Sequence, residues 1–186
     1  MKSIIIGVTG GIACYKAAEI VNDLVKRGFA VDVIMTKSAR EFITPLTFQT
    51  LSHNPVVTDM FEKTADWDVR HIALAKKADV FAVVPATANV IGKIAGGIAD
   101  DMLTTTIMAA KCRKIIATAM NTGMWNNPIV QDNIEKLRFF GFEVLETDSG
   151  RLACGDVGQG KLLPWEQIVA AILNGLETDL SGGLQS

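Results

Sequence analysis

Short apolar runs without polar alternation recur along the chain: Ser3–Val8, Ala30–Met35, Asp79–Val84, Lys114–Ala119 and Phe142–Leu145. Runs of this kind, rich in β-branched residues, predict strands buried on both faces of a parallel sheet. Between them the period becomes helical. Ile12–Arg27 carries Ile20 and Leu24 on one face and has Gly28 just past its end, where a helix stop is expected. A short helix is predicted near Ala39–Phe42 and another after Pro45, then helices over His71–Ala78, Val90–Ala95 and Asp101–Ala110. Asn127-Pro128 opens a helix to about Phe140 that Gly141 stops, with the proline where its missing N–H costs nothing. A last helix spans Trp165–Asn174. Strands alternating with helices in this way predict an α/β fold, a three-layer doubly wound parallel sheet of Rossmann-like type.

Three stretches break the rhythm. Ser52–Arg70 has weak patterning and reads as a surface loop with a short strand at Val56–Val57. Asp148–Leu163 holds Gly150, Gly155, Gly158 and Gly160, is followed by Pro164, and shows neither helical nor strand period. A loop of that length inside a compact domain is functional or disordered. Glu177–Ser186 is polar and glycine-containing, and a poorly ordered tail is expected there. The folded unit is therefore expected over 1–175, with 176–186 a tail or the start of a linker.

Composition changes this picture only by exclusion. At 186 residues, 49% apolar and 20% charged, the chain suits one domain with a substantial core. A net charge of −2 gives no footprint for nucleic acid or an anionic membrane. Three scattered cysteines, Cys14, Cys112 and Cys154, form neither a disulfide framework nor a zinc pattern and point to a reducing compartment. No apolar stretch is long enough for a membrane span, and the N-terminus lacks the pattern of a signal peptide, so a cytoplasmic location is expected.

Candidate chemistry gathers where strands end, because open α/β sheets bind ligands outside the carboxyl ends of their strands. The glycine loop Gly7-Val8-Thr9-Gly10-Gly11 matches neither a G-x-G-x-x-G fingerprint nor a P-loop, which has a Lys and a following Ser or Thr. Where a dinucleotide site would place an acidic residue after the second strand, Met35-Thr36-Lys37-Ser38 offers hydroxyls and a cation. This suits a single phosphate better than NAD, with helix capping by Thr36 or Ser38 as the plain alternative. Beyond the central strand, Pro85 to Asp101 begins with small and amide residues, which leave room for a flat ligand against backbone. His71 opens a helix that leads into that strand, and imidazole is suited to proton transfer near neutral pH. His53, beside Asn54-Pro55, reads as structural. Asn121 follows the strand ending at Ala119, and a side-chain amide there can bind a carboxylate or carbonyl. Cys154 and Arg151 sit in the glycine-rich stretch, the thiol as a proton donor and the guanidinium as an anion-holding group.

Taken together, GVTGGIACYK (7–16), HIALAK (71–76), PATANVIGKIAGGIADDML (85–103), AMNTGMW (119–125) and GRLACGDVGQGKL (150–162) resemble the homo-oligomeric flavin-containing cysteine decarboxylases, over about Lys2 to Leu173. The resemblance implies a Rossmann-like flavoprotein binding FMN at a subunit boundary of a homotrimer, or of a dodecamer of trimers. It places Gly10, Gly11, Thr36 and Ser38 near the FMN phosphate, counts Ile12 among the cofactor-binding residues, and sets Thr87, Ala88, Asn89 and Val90 along the cofactor and Ala119 and Met120 near its ring. His71, Asn121 and Cys154 match catalytic positions, and Asn121, Met124, Arg151 and Ala153 match substrate-binding ones, the last two in a clamp that closes over the site. Thr118 where Pro is common, Val90 where Thr is common and Lys161 for the usual Arg are the departures. The last keeps the charge but loses bidentate geometry.

The implied reaction is FMN-dependent decarboxylation of 4′-phosphopantothenoyl-cysteine to 4′-phosphopantetheine in coenzyme A biosynthesis. Transient oxidation of the cysteine lets CO2 leave and yields an enethiol, and re-reduction with a proton from Cys154 gives the saturated product. A peptidyl-cysteine decarboxylase, which stops at the enethiol, is the nearest alternative. A flavin prenyltransferase would lack the AMN and ACGD segments, and a non-catalytic regulatory flavoprotein would carry acidic extensions and lose catalytic residues. The tail Asp179-Leu180-Ser181-Gly182 resembles the junction to a fused phosphopantothenate–cysteine ligase, so the N-terminal half of a bifunctional protein is one reading of the chain and a free-standing protein the other.

Overall fold

The computed structural model describes residues 1–60 and 70–181. Five parallel strands, β1 (Ser3–Val8), β2 (Ala30–Met35), β3 (Val80–Ala86), β4 (Arg113–Thr118) and β5 (Glu143–Leu145), form one sheet in the order β2-β1-β3-β4-β5. The chain therefore moves outward from β1 in both directions, and its switch point lies between β1 and β3. Helices α1 (Tyr15–Lys26), α2 (Pro45–Ser52), α3 (Arg70–Lys77), α4 (Ala88–Ala95), α5 (Met102–Ala109), α6 (Thr122–Trp125), α7 (Pro128–Phe139) and α8 (Trp165–Ser181) supply the connections. Short 3-10 segments, Ile12–Cys14 and Lys37–Glu41, precede α1 and α2.

The unbroken apolar runs are explained by what covers them. In β1 and β3, Ile4, Ile6, Val80, Ala82 and Val84 join a core completed by α1, α2 and α8. Their neighbours Ile5, Phe81 and Val83 point the other way, into a second core completed by α3, α4, α5 and α7. Alternate side chains of a strand face opposite sides, so a strand covered twice must be apolar at every position.

Three expectations are corrected. The central strand does not end at Val84 but continues through Pro85 to Ala86, with its pairing to β4 shifted between Val83 and Ala86, where proline has no N–H to give. Asp148–Leu163 is not a loop without strand structure. Its greater part is an antiparallel hairpin of β6 (Asp148–Arg151) and β7 (Val157–Lys161), separate from the main sheet. The last helix does not end at Asn174, and 177–181 are helical rather than an irregular tail. The expected strand at Val56–Val57 reduces to one bridge between Val57 and Ile34. Residues 61–69 of the expected loop lie outside the described residues. His53 closes α2 in the left-handed conformation, at φ 58°, and so has a structural place.

Asp79 locks the amino ends of β1 and β3 together: its carboxylate accepts from Ser3 N–H at 2.7 Å and from Lys2 Nζ at 3.0 Å. Burial opposes its charge, but the Ser3 and Lys2 bonds win and lower its pKa. A depressed carboxylate stabilises the fold above its unfolded pKa, and that stability is lost as pH falls through the folded value. Asp79→Asn, which keeps an acceptor but removes the charge, is expected to cost about 1 kcal/mol at neutral pH. In denaturant titrations the difference from wild type should shrink as acid protonates Asp79.

Candidate active site

At the carboxyl edge the loops after β1, β2 and β3 are tied to one another. Thr9 Oγ1 donates to the Pro85 carbonyl at 2.6 Å and accepts from Thr87 N–H at 3.2 Å, joining two loops across the switch point. Gly10 lies directly against Ser38, and a Cβ there would collide with the Ser38 side chain and backbone. Gly11 is different. Its φ of −149° suits any residue, and a Cβ would meet only Thr87 Cγ2 at 3.7 Å. The protein itself makes no demand for glycine there, which leaves open backbone facing the start of α4.

Two of the predicted phosphate and cofactor residues serve as caps. Thr36 accepts from Ala39 N–H at 3.3 Å and Thr87 from Val90 N–H at 3.5 Å, each with its hydroxyl hydrogen left to give. Ser38 and Asn89 are exposed, Ala88 is half-buried, and Ile12 is 58% exposed. Val90 points its side chain into the second core. Ala119 N–H donates to the Ala86 carbonyl at 3.1 Å, which sets the end of β4 beside the end of β3. Thr118 is buried, and its hydroxyl has no hydrogen-bond partner among the described residues. Hydroxyls, the positive end of an eight-residue helix and an unfilled glycine edge suit a flat ligand with one phosphate.

A second group forms where the hairpin folds back over the β4–α6 loop. Asn121 Oδ1 caps α6 by accepting from Gly123 N–H at 2.7 Å, so the amide Nδ2 faces outward. Nδ2 donates to Asp156 Oδ2 at 2.8 Å and lies 3.4 Å from Cys154 Sγ. The thiol is also 3.4 Å from Asp156 Oδ2. The hairpin is fastened by Met120 N–H to the Gly160 carbonyl (2.8 Å), Thr122 Oγ1 to the Gln159 carbonyl (2.8 Å) and Trp125 Nε1 to Gln159 Oε1 (3.1 Å). Asp156, Thr122 and Gln159 were not singled out from the sequence. Arg151, Ala153 and Met124 are exposed around this group. Cys14 is inert by contrast: it is buried, and burial pushes its thiol up.

Gly160 has φ +110°, and a Cβ there would strike the Met120 carbonyl oxygen. Gly160→Ala is expected to unseat the hairpin at a local cost of about 1–3 kcal/mol. Amide exchange in 148–161 should quicken while the five-stranded sheet stays protected.

The structure does not bring His71 to Asn121 within one chain. His71 is half-buried in the first turn of α3 and makes no hydrogen bond among the described residues. Lys77 Nζ at the other end of α3 pairs with Asp32 Oδ2 of β2 at 2.7 Å, while the helix itself packs against α5. Asn121 follows β4, on the other side of β3 from β1 and β2.

A parallel sheet with this switch point and a phosphate-suited rim defines a nucleotide- or flavin-binding α/β protein. The chain belongs to the flavoprotein family, whose model matches residues 1–177. Among curated relatives it is 44% identical to "Probable phosphopantothenoylcysteine decarboxylase" of Streptococcus mutans over 92% of this chain and 97% of that one. It is 47% identical to "Coenzyme A biosynthesis bifunctional protein CoaBC" of Borreliella burgdorferi over 93% of this chain, but spans only 44% of that protein's length. Among solved structures, a cysteine-to-serine mutant of PPC decarboxylase complexed with pantothenoylaminoethenethiol superposes with a TM-score of 0.83, at 29% identity over 95% of this chain and 98% of that one. The FMN-dependent cysteine decarboxylase SpaF gives 0.78, at 30% identity over 94% and 97%. No described helix is long and apolar enough to cross a membrane.

Proposed function

We propose that this chain catalyses the FMN-dependent decarboxylation of 4′-phosphopantothenoyl-cysteine to 4′-phosphopantetheine, a step of coenzyme A biosynthesis. The observation that carries the reading is the meeting of an outward-facing amide and a thiol, Asn121 Nδ2 and Cys154 Sγ, 3.4 Å apart on segments 33 residues distant in sequence. Names of relatives alone would leave the residues unassigned; this pairing gives the reaction its two ends.

When bound, FMN supplies the two-electron acceptance and return that make the carbon–carboxylate bond cleavable. Gly10, Gly11, Thr36 and Ser38 would hold its phosphate end, and Ile12, the start of α4, Ala119 and Met120 would line the rest. Asn121 would donate through Nδ2 to the substrate carboxylate and hold it in one orientation for bond cleavage. Cys154 gives its proton to the enethiol carbon after CO2 has left, and the hairpin carrying it closes over the site to keep water out. Arg151, Ala153 and Met124 contact the rest of the substrate. A peptidyl-cysteine decarboxylase would need no such thiol, because its reaction ends at the enethiol.

His71 assists proton removal in the oxidative half, and because no described hydrogen bond joins it to the Asn121 group it does so from a neighbouring copy. A homo-oligomer, a trimer or a dodecamer of trimers, completes each site in this reading. Exposed Ile12, Tyr15, Phe42 and Leu46 beside the rim supply apolar surface for such contacts. The catalytic unit is residues 1–175, with 176–186 leading toward a fused ligase in the cytoplasmic bifunctional enzyme. The test is CO2 release from 4′-phosphopantothenoyl-cysteine by FMN-loaded protein, with mass analysis of the product. Saturated 4′-phosphopantetheine is expected; an enethiol as the only wild-type product would favour the peptidyl-cysteine reading.

A further inference from the structure

Asn121 Nδ2 is already hydrogen-bonded to a carboxylate, and that carboxylate belongs to the protein. Asp156 Oδ2 accepts from it at 2.8 Å, the shorter of the two contacts Nδ2 makes. The placement is built by the hairpin turn. Leu152 N–H donates to the Asp156 carbonyl at 2.8 Å and Gly155 N–H to the Leu152 carbonyl at 2.9 Å, closing a five-residue loop that carries Cys154 and Asp156 together. Asn121 cannot turn its amide away, since Oδ1 is held by Gly123 N–H at 2.7 Å. Asp156 has no cationic partner among the described residues; its Oδ2 meets both the amide and the thiol.

We propose that Asp156 is a positioning residue that acts as a placeholder for the substrate carboxylate on Asn121. This rests on the proposal above that Asn121 seats that carboxylate. The entering carboxylate must displace Asp156, because two like charges on one amide donor repel and the two Nδ2 hydrogens are already engaged by Asp156 Oδ2 and Cys154 Sγ. Displacement swings the hairpin turn, and Cys154 moves with it. Once CO2 has left, the ligand no longer competes, and Asp156 returns to Nδ2 with the thiol beside it. The contact thus couples loss of the carboxylate to the seating of the proton donor. It also makes the site discriminate against the carboxylate-bearing ligand relative to the decarboxylated one.

The experiment measures binding to the FMN-loaded protein by calorimetry with two probes. One is 4′-phosphopantothenoyl-alanine, which carries the carboxylate but has no thiol to oxidise; the other is 4′-phosphopantetheine. Asp156→Asn and Asp156→Ala are expected to tighten the alanine probe roughly three- to tenfold, as removal of a competing charge-assisted hydrogen bond at an exposed site implies, and to leave 4′-phosphopantetheine unchanged. A merely structural role would weaken both probes. Weaker or unchanged binding of the alanine probe, or an equal change for both, overturns the placeholder. In Asn121→Ala the Asp156 substitutions should no longer alter the alanine probe, and a persisting gain contradicts the proposal. If wild-type protein binds neither probe, the substrate assignment itself fails, and the placeholder with it.

Discussion

Asn121→Asp is expected to remove CO2 release almost entirely while the protein still folds and binds FMN. The substitution keeps an oxygen to cap α6 through Gly123 N–H and changes only the group at Nδ2. There it exchanges a donor for a negative charge. Two unit charges about 4 Å apart repel by about 4 kcal/mol at the effective dielectric of ~20 typical near a protein surface, or roughly 10³ in rate. Loss of the hydrogen bond acts in the same direction. Single-turnover CO2 release, with flavin content measured on the same sample, checks it. A rate within tenfold of wild type at full flavin occupancy would remove Asn121 from carboxylate recognition.

Cys154→Ser has the second largest expected effect, and of a different kind. The carboxylate seat is intact, so CO2 should still leave. A hydroxyl is a far weaker acid than a thiol, and positioned proton transfer contributes typically 10²–10⁴-fold. The enethiol should therefore accumulate where wild type yields the saturated product, visible as a mass two hydrogens lighter. Unchanged formation of saturated product would place the proton donor elsewhere.

How much of this was legible in the chain depended on whether a residue's role was local. Ser3–Val8 and Ala30–Met35 appear as expected because a strand covered on both faces has no polar alternative at any position. The hairpin of 148–161 was missed for the opposite reason. β6 and β7 lie outside the main sheet with mostly exposed side chains, so no alternation marks them, and their stability comes from main-chain pairing and from bonds to 120–125. Glycine content, read as freedom, was instead close approach at Gly160. Asn121 and Cys154 were each suspect from position and type, but nothing local shows that they meet. Asp156 was invisible as a functional group until the hairpin folded back across 35 residues of sequence. His71 was expected near the ligand edge because its helix feeds the central strand; it opens α3, which ends just before β3 begins, but no described hydrogen bond joins it to the group around Asn121.

The central claim is that FMN held at the carboxyl edge takes electrons from the substrate's cysteine and returns them within one turnover. Anaerobic stopped-flow mixing of the FMN-loaded protein with 4′-phosphopantothenoyl-cysteine, following the visible flavin band and CO2 together, tests it directly. The account predicts that the band fades and recovers in each turnover, with one CO2 and one saturated product per substrate. Release of CO2 by protein stripped of flavin, or with a band that never changes while Cys154→Ser also leaves it unchanged, would contradict it.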